Sequence, residues 1–100
     1  MDIRLERLNE KTVVFFLSGR LDTVSSYSFE HELNRLIDGN IDIILDLKDL
    51  SYICSSGLHL LLHAHMTMNA NNRKLVIRNV GVSVKDVFEM TGFTSVITLE

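Results

Sequence analysis

The stretch Ile53-Cys54-Ser55-Ser56-Gly57-Leu58 sets a thiol, two hydroxyls and a glycine in a row between two apolar runs, with His59 and His63 close behind. Each group could do chemistry, and each chemistry has a signature. A phosphatase that attacks through Cys54 would need the Cys-x5-Arg loop to hold a phosphate dianion, but the residue in the arginine position is Leu60. A serine hydrolase of the α/β type needs Gly-x-Ser-x-Gly at its nucleophile turn, whereas Ile53 stands two residues before Ser55 and Cys54 two before Ser56. Neither a Gly-x4-Gly-Lys-[Ser/Thr] phosphate loop nor a Gly-x-Gly-x-x-Gly fingerprint occurs anywhere in the chain. On one helix, His59 and His63 would have Cβ atoms about 5 to 6 Å apart, near enough to share a metal ion. No third ligand or accompanying Glu stands nearby, and two exposed histidines is the simpler reading. A Cys54–His59 dyad across a helix start is geometrically open, but Cys following Ile53 reads more simply as a packed thiol.

Asp46 and Asp49, beyond a central apolar run, invite comparison with the phosphoacceptor of response-regulator receivers. Those domains also need an acidic pair after the first strand and a Lys after a late one. Here the first crossover follows Gly19-Arg20-Leu21-Asp22-Thr23, and the late strand ends in Arg78-Asn79.

The serines have a plain use and a sharper one. Ser55 can cap a helix by accepting a backbone N–H, worth about 1 kcal/mol over Ala, but that role needs one hydroxyl. A helix N-terminus also carries unpaired N–H groups and roughly half a unit of positive charge, which suits a phosphate. A phosphoserine there would add about −1.5 to −2 charge without unfolding its own domain. Pushed into a partner's apolar or acidic contact, the same charge would cost several kcal/mol. Such an asymmetry is what a binding switch requires.

These residues need elements to hold them. Ile3 and Leu5 alternate with Arg4 and Glu6 as in a half-exposed edge strand, and Thr12 to Ser18 is apolar on both faces, so the two pair as a hairpin. Phe29, Leu33, Leu36 and Ile37 form the stripe of an amphipathic helix that starts at Asp22 or Thr23 and stops at Gly39. Ile41 to Leu47 reads as a central strand with Lys48 to Ile53 as its exit loop. Leu58, Leu61, Leu62 and His65 share a helical face up to the asparagines at Asn69 to Asn72, and Lys74 to Arg78 is the next strand. Ser83 to Asp86 has the form of a capping box, Val87 and Phe88 turn to the core, Gly92 ends the helix, and Val96 to Leu99 makes a last strand. The order β-β-α-β-α-β-α-β predicts an α/β fold, a mixed and mostly parallel sheet with an N-terminal hairpin. Sites in such sheets gather beyond the carboxyl ends of the strands, where the Cys54–Leu58 stretch lies.

With 100 residues, 46% hydrophobic and 23% charged, the chain is expected to form one domain over residues 1–100. A net charge of −3 without basic and aromatic interleaving argues against direct nucleic-acid binding. No apolar run approaches the roughly 18 residues of a membrane span, and Met1-Asp2-Ile3-Arg4 does not open a signal segment. A lone cysteine gives no disulfide and no zinc knuckle. A cytoplasmic protein with no metal and no cofactor is expected.

Three separated segments, Gly19 to Asp22, Leu45 to Leu62 and Phe88 to Phe93, together resemble the STAS family, whose small free-standing members are anti-sigma factor antagonists. The resemblance covers essentially the whole chain and implies a non-catalytic partner-switching domain. Its partner would be an anti-sigma factor that is also a serine protein kinase, released when Ser55 is phosphorylated. Ser56 and Gly57 would then support the acceptor. Leu21, Asp22, Thr23, Cys54, Leu58 and His59 would form the partner-binding rim, with Cys54 in the place where the family usually has Asp. An uncovered apolar flank of the sheet would favour a homodimer. Two alternatives stay open: a STAS accessory subunit of a membrane transporter, and a thiol- or metal-dependent enzyme using Cys54 with His59 or His63.

Overall fold

The computed structural model describes residues 1–37 and 39–100, Thr98 by its backbone alone. The chain runs β1 (Asp2–Asn9), β2 (Thr12–Leu21), α1 (Thr23–Ile37), β3 (Asp42–Ile53), α2 (Ser55–Ala70), β4 (Leu75–Arg78), α3 (Val82–Met90), a 3₁₀ turn (Phe93–Ser95) and β5 (Thr98–Leu99). The sheet has five strands in sequence order, β1 antiparallel to β2 and the rest parallel. This is the expected α/β architecture with its N-terminal hairpin. Asn9 makes the tight turn by accepting the Lys11 N–H at 2.8 Å, an Asx-type turn that replaces the missing proline.

Alternation along the strands fixes which face is covered. Val13, Phe15 and Leu17 of β2 and Ile43, Leu45 and Leu47 of β3 are buried in one cluster with Phe29 and Leu33 of α1, Leu61 and Met68 of α2, and Val84 and Phe88 of α3. Phe15 meets Phe29 edge to face, ring centroids 5.8 Å apart. The intervening residue Phe16 instead lies under Arg4, whose guanidinium carbon is 4.4 Å from its centroid, with Arg78 at 5.9 Å. On that side Asp46 is buried and accepts from Lys48 N at 3.0 Å, Arg78 Nε at 3.0 Å and Asn79 Nδ2 at 2.9 Å. Burial opposes the Asp46 carboxylate, but these three donors outweigh it and hold its pKa below the ordinary value. The carboxylate is thus a structural tie between β3 and the end of β4, and Asn79 makes its bond from a left-handed backbone at φ 58°.

Several local expectations change. The exit loop expected at Lys48 to Ile53 is strand: β3 continues beside β2 to the pair Leu21–Ile53 by inserting extra residues at two register shifts, opposite Phe16/Ser18 and Gly19/Arg20. Ser83 is not a cap. The α3 N-cap is Gly81, and the Ser83 hydroxyl donates to Ser51 O at 3.3 Å, tying the helix to β3. The last strand is shorter than expected because the chain after Gly92, in the left-handed region at φ 76°, first turns through Phe93–Ser95. Phe93 there packs on Phe88 at 5.2 Å.

Candidate functional site

Parallel pairing decides where the candidate residues meet. Because β2 and β3 are parallel neighbours ending at the pair Leu21–Ile53, both helices that follow them start at the same edge of the sheet. The backbone N–H of Cys54 donates to Leu21 O at 3.0 Å and closes this edge.

At the start of α1, Asp22 is the cap that the sequence left between two candidates. Its carboxylate accepts the Ser25 N–H at 2.9 Å while its own N–H donates to Ser25 Oγ at 2.9 Å, a reciprocal box. The Ser25 backbone and hydroxyl donors hold the Asp22 carboxyl below its ordinary value. Ser26, buried, donates from Oγ to Asp22 O at 2.7 Å, and Thr23 is exposed.

At the start of α2, the N-cap is Cys54, extended at φ −94° and ψ 175°, and Ser55 is the first helical residue. This corrects the capping role given to Ser55: it is the first helical residue and not the N-cap, and the Cys54 sulfur forms no cap hydrogen bond. The sulfur nevertheless faces those groups. Burial opposes its ionisation, but the N–H groups of Gly57 and Ser56 and the hydroxyls of Ser26 and Thr23 outweigh it and hold the thiol below its ordinary value.

Ser55, Ser56 and His59 are exposed and Gly57 is buried. Glycine is required by close approach. A Cβ on Gly57 would lie 2.9 Å from Ile53 Cγ1 and 2.9 Å from Leu21 Cγ. Leu21 is fully buried in that contact, which corrects its placement on the partner-binding rim: it supports the rim from beneath. Leu58, also expected at the rim, is 8% exposed and belongs to the core cluster, so it anchors the helix.

Two grooves flank the first turn of α2. One, of about 360 Å³, runs between α1 and α2 and is lined by Thr23, Tyr27 and Glu30 against Ser56, His59 and His63. The other, of about 240 Å³ and more apolar, lies toward α3, where Ser55, Leu58, His59 and Leu62 face Thr91 and Phe93. His59 is the ridge between them. The sequence reading brought Cys54, Ser55, Ser56, Asp22, Thr23 and His59 to one rim, and they are together there. It did not find Tyr27 and Glu30, nor the Arg20–Tyr52 stack, with the guanidinium 4.1 Å from the ring centroid, because these depend on pairing between distant strands and helices. Among the described residues no three His, Cys, Asp or Glu side chains gather as a metal site, and His59 and His63 have no third ligand.

The geometry has close counterparts. The anti-sigma-B factor antagonist of Staphylococcus aureus is 32% identical over 77 residues, 76% of this chain and 71% of its own. The anti-sigma factor antagonist SpoIIAA in its unphosphorylated form superimposes with a TM-score of 0.80 at 24% identity, covering 99% of this chain and 87% of SpoIIAA. The Bacillus cell fate determinant SpoIIAA in the phosphorylated form gives 0.79 at 25% identity, covering 99% and 91%. The STAS domain profile matches residues 5–100, nearly the whole length over which the strands and helices above were traced, and the chain belongs to that family.

Proposed function

We propose that this protein is an anti-sigma factor antagonist that switches partners through Ser55. It binds an anti-sigma factor that is also a serine kinase, and so frees a sigma factor; phosphorylation of Ser55 by that partner ends the complex. The protein is a regulatory binding partner and the kinase's substrate, not a catalyst. One observation carries the reading: Ser55 is exposed at the first helical position of α2, on a rim shared with Asp22, Thr23, Cys54 and His59, while everything directly beneath it is packed. A phosphate at that position is favoured by the helix N-terminus and leaves the buried Gly57–Leu21 contact untouched. The antagonist names of the relatives, and the phosphorylated form known for SpoIIAA, support the same reading.

Among the described residues, no helix is long and apolar enough to cross a membrane. The cytoplasm, where sigma factors act, is the proposed location. Ser56 and Gly57 support the acceptor, the first by a second hydroxyl at the rim and the second by close packing. The test is incubation with ATP and the cognate serine kinase, followed by mass analysis of the peptide that carries Ser55. A gain of one phosphate on Ser55 and loss of kinase binding by Ser55→Asp is expected; no phosphate there, with binding intact in Ser55→Asp, overturns the switch.

A further inference from the structure

We propose that His59 is the built-in counter-charge to a phosphate on Ser55, which makes the phosphorylated state respond to pH. The inference deepens the proposed function and rests on Ser55 as acceptor. Ser55 and His59 are four positions apart on α2, both are exposed, and both line the groove toward α3. At that spacing their Cβ atoms are about 5 to 6 Å apart, within reach of an imidazole nitrogen and a phosphoserine oxygen. Among the residues lining that groove, His59 is the one that can carry a charge; Leu58, Leu62, Thr91 and Phe93 cannot. On its other side His59 shares the α1 groove with Tyr27, Glu30 and His63, yet none of the ion pairs among the described residues involves it. His63 is a further turn along, with its Cα about 12 Å from that of Ser55 along the axis at about 1.5 Å per residue, too far to take the same role.

The chemistry fits. The second ionisation of a phosphoserine falls near pH 6 and a histidine titrates near 6.5, so the two groups change charge in the same window. Each favours the charged form of the other. With His59 charged, part of the phosphate's charge is met within the helix. With His59 neutral, the phosphate presents its full charge to the partner.

The test uses the full chain with phosphoserine installed genetically at position 55, so it needs no kinase and stands apart from whether a kinase recognises Ser55. Phosphorus NMR against pH reads the second phosphate ionisation in the native chain, His59→Ala and His63→Ala. The midpoint in the native chain is expected to lie roughly 0.15 to 0.4 pH unit below that in His59→Ala, the size of an exposed i,i+4 pair, and to be unmoved by His63→Ala. Carbon–proton spectra should show the His59 ring titrating at higher pH in the phosphorylated chain than in the unmodified one. Equal midpoints in native and His59→Ala chains, or an equal shift in His63→Ala, overturn the pair.

Discussion

Leu21 and Gly57 meet where residue 57 has no room for a Cβ. The leucine Cγ lies 2.9 Å from the point a Gly57 Cβ would occupy, with Ile53 Cγ1 equally close on the other side. Neither contact is with the far end of a flexible chain, so Gly57→Ala must move α2 away from the end of β2. We predict a net loss of about 1 to 2 kcal/mol: contacts this short put overpacking in the upper part of its range, about 2 to 3, and the better helix propensity of Ala offsets about 1. Urea unfolding of the two chains measures it; an unchanged midpoint would mean that Leu21 yields freely.

Ser55→Asp and Ser55→Ala should separate folding from binding. The site is exposed at the positive end of a helix, so Asp there is expected to hold or raise stability by about 0.3 to 1 kcal/mol, and Ala to change it by less than about 0.5. Binding to the anti-sigma partner is expected to fall at least about tenfold in Ser55→Asp, about 1.4 kcal/mol, and to survive in Ser55→Ala. Thermal melts together with calorimetric titration of the partner check both halves.

Acid should loosen the protein through two carboxylates. Asp22 is held below its ordinary value by Ser25, and Asp46, against its burial, by Lys48, Asn79 and Arg78. For groups whose folded pKa is depressed, the stabilisation is complete above the unfolded value near 3.9 and is lost as pH falls through the lower folded values. Stability should therefore decline below about pH 4, with a shallower decline in Asp46→Asn. Asp46→Ala, which leaves Arg78 and the Lys48 N–H without their acceptor, should cost about 2 to 4 kcal/mol at neutral pH. Unfolding midpoints measured from pH 3 to 7 give both numbers.

Cys54 should ionise more readily than a free thiol, whose value is about 8.5. Its surroundings, the Gly57 and Ser56 N–H groups with the Ser26 and Thr23 hydroxyls, prevail over its burial. The rate of iodoacetamide alkylation against pH is expected to show a midpoint below that of a free cysteine, moving upward in Thr23→Val. A midpoint at or above the free value would contradict this environment.

Much of this was legible in the sequence because the signals are local. The stripe Phe29, Leu33, Leu36, Ile37 named α1, the β-branched run from Ile41 named β3, and Gly92 marked the end of α3, where it adopts the left-handed backbone expected of it. What escaped depends on a neighbour far along the chain. Lys48 to Ser51 are polar enough to read as a loop, yet they are strand because β2 runs on beside them past two register shifts. Ser83 carries the letters of a capping box, but its hydroxyl donates to Ser51 O instead. Leu21 looked like a rim residue by its place beside Asp22, and only the approach of α2 through Gly57 shows it to be underneath. Composition could suggest that Cys54 was packed; that it would stand at the N-cap, with Ser55 inside the helix, follows from where β3 ends.

The overhang of β3 carries a mechanical meaning. Its pairing with β4 ends at Asp46–Arg78, while its pairing with β2 continues to Leu21–Ile53. Among the described residues, Ser55 therefore follows an overhang of β3 that pairs with β2 alone among the strands and is tied to α3 by the Ser83–Ser51 hydrogen bond. A load applied by a partner at the tip is therefore shared between the hairpin side, through β2, and the α3 side, through Ser51.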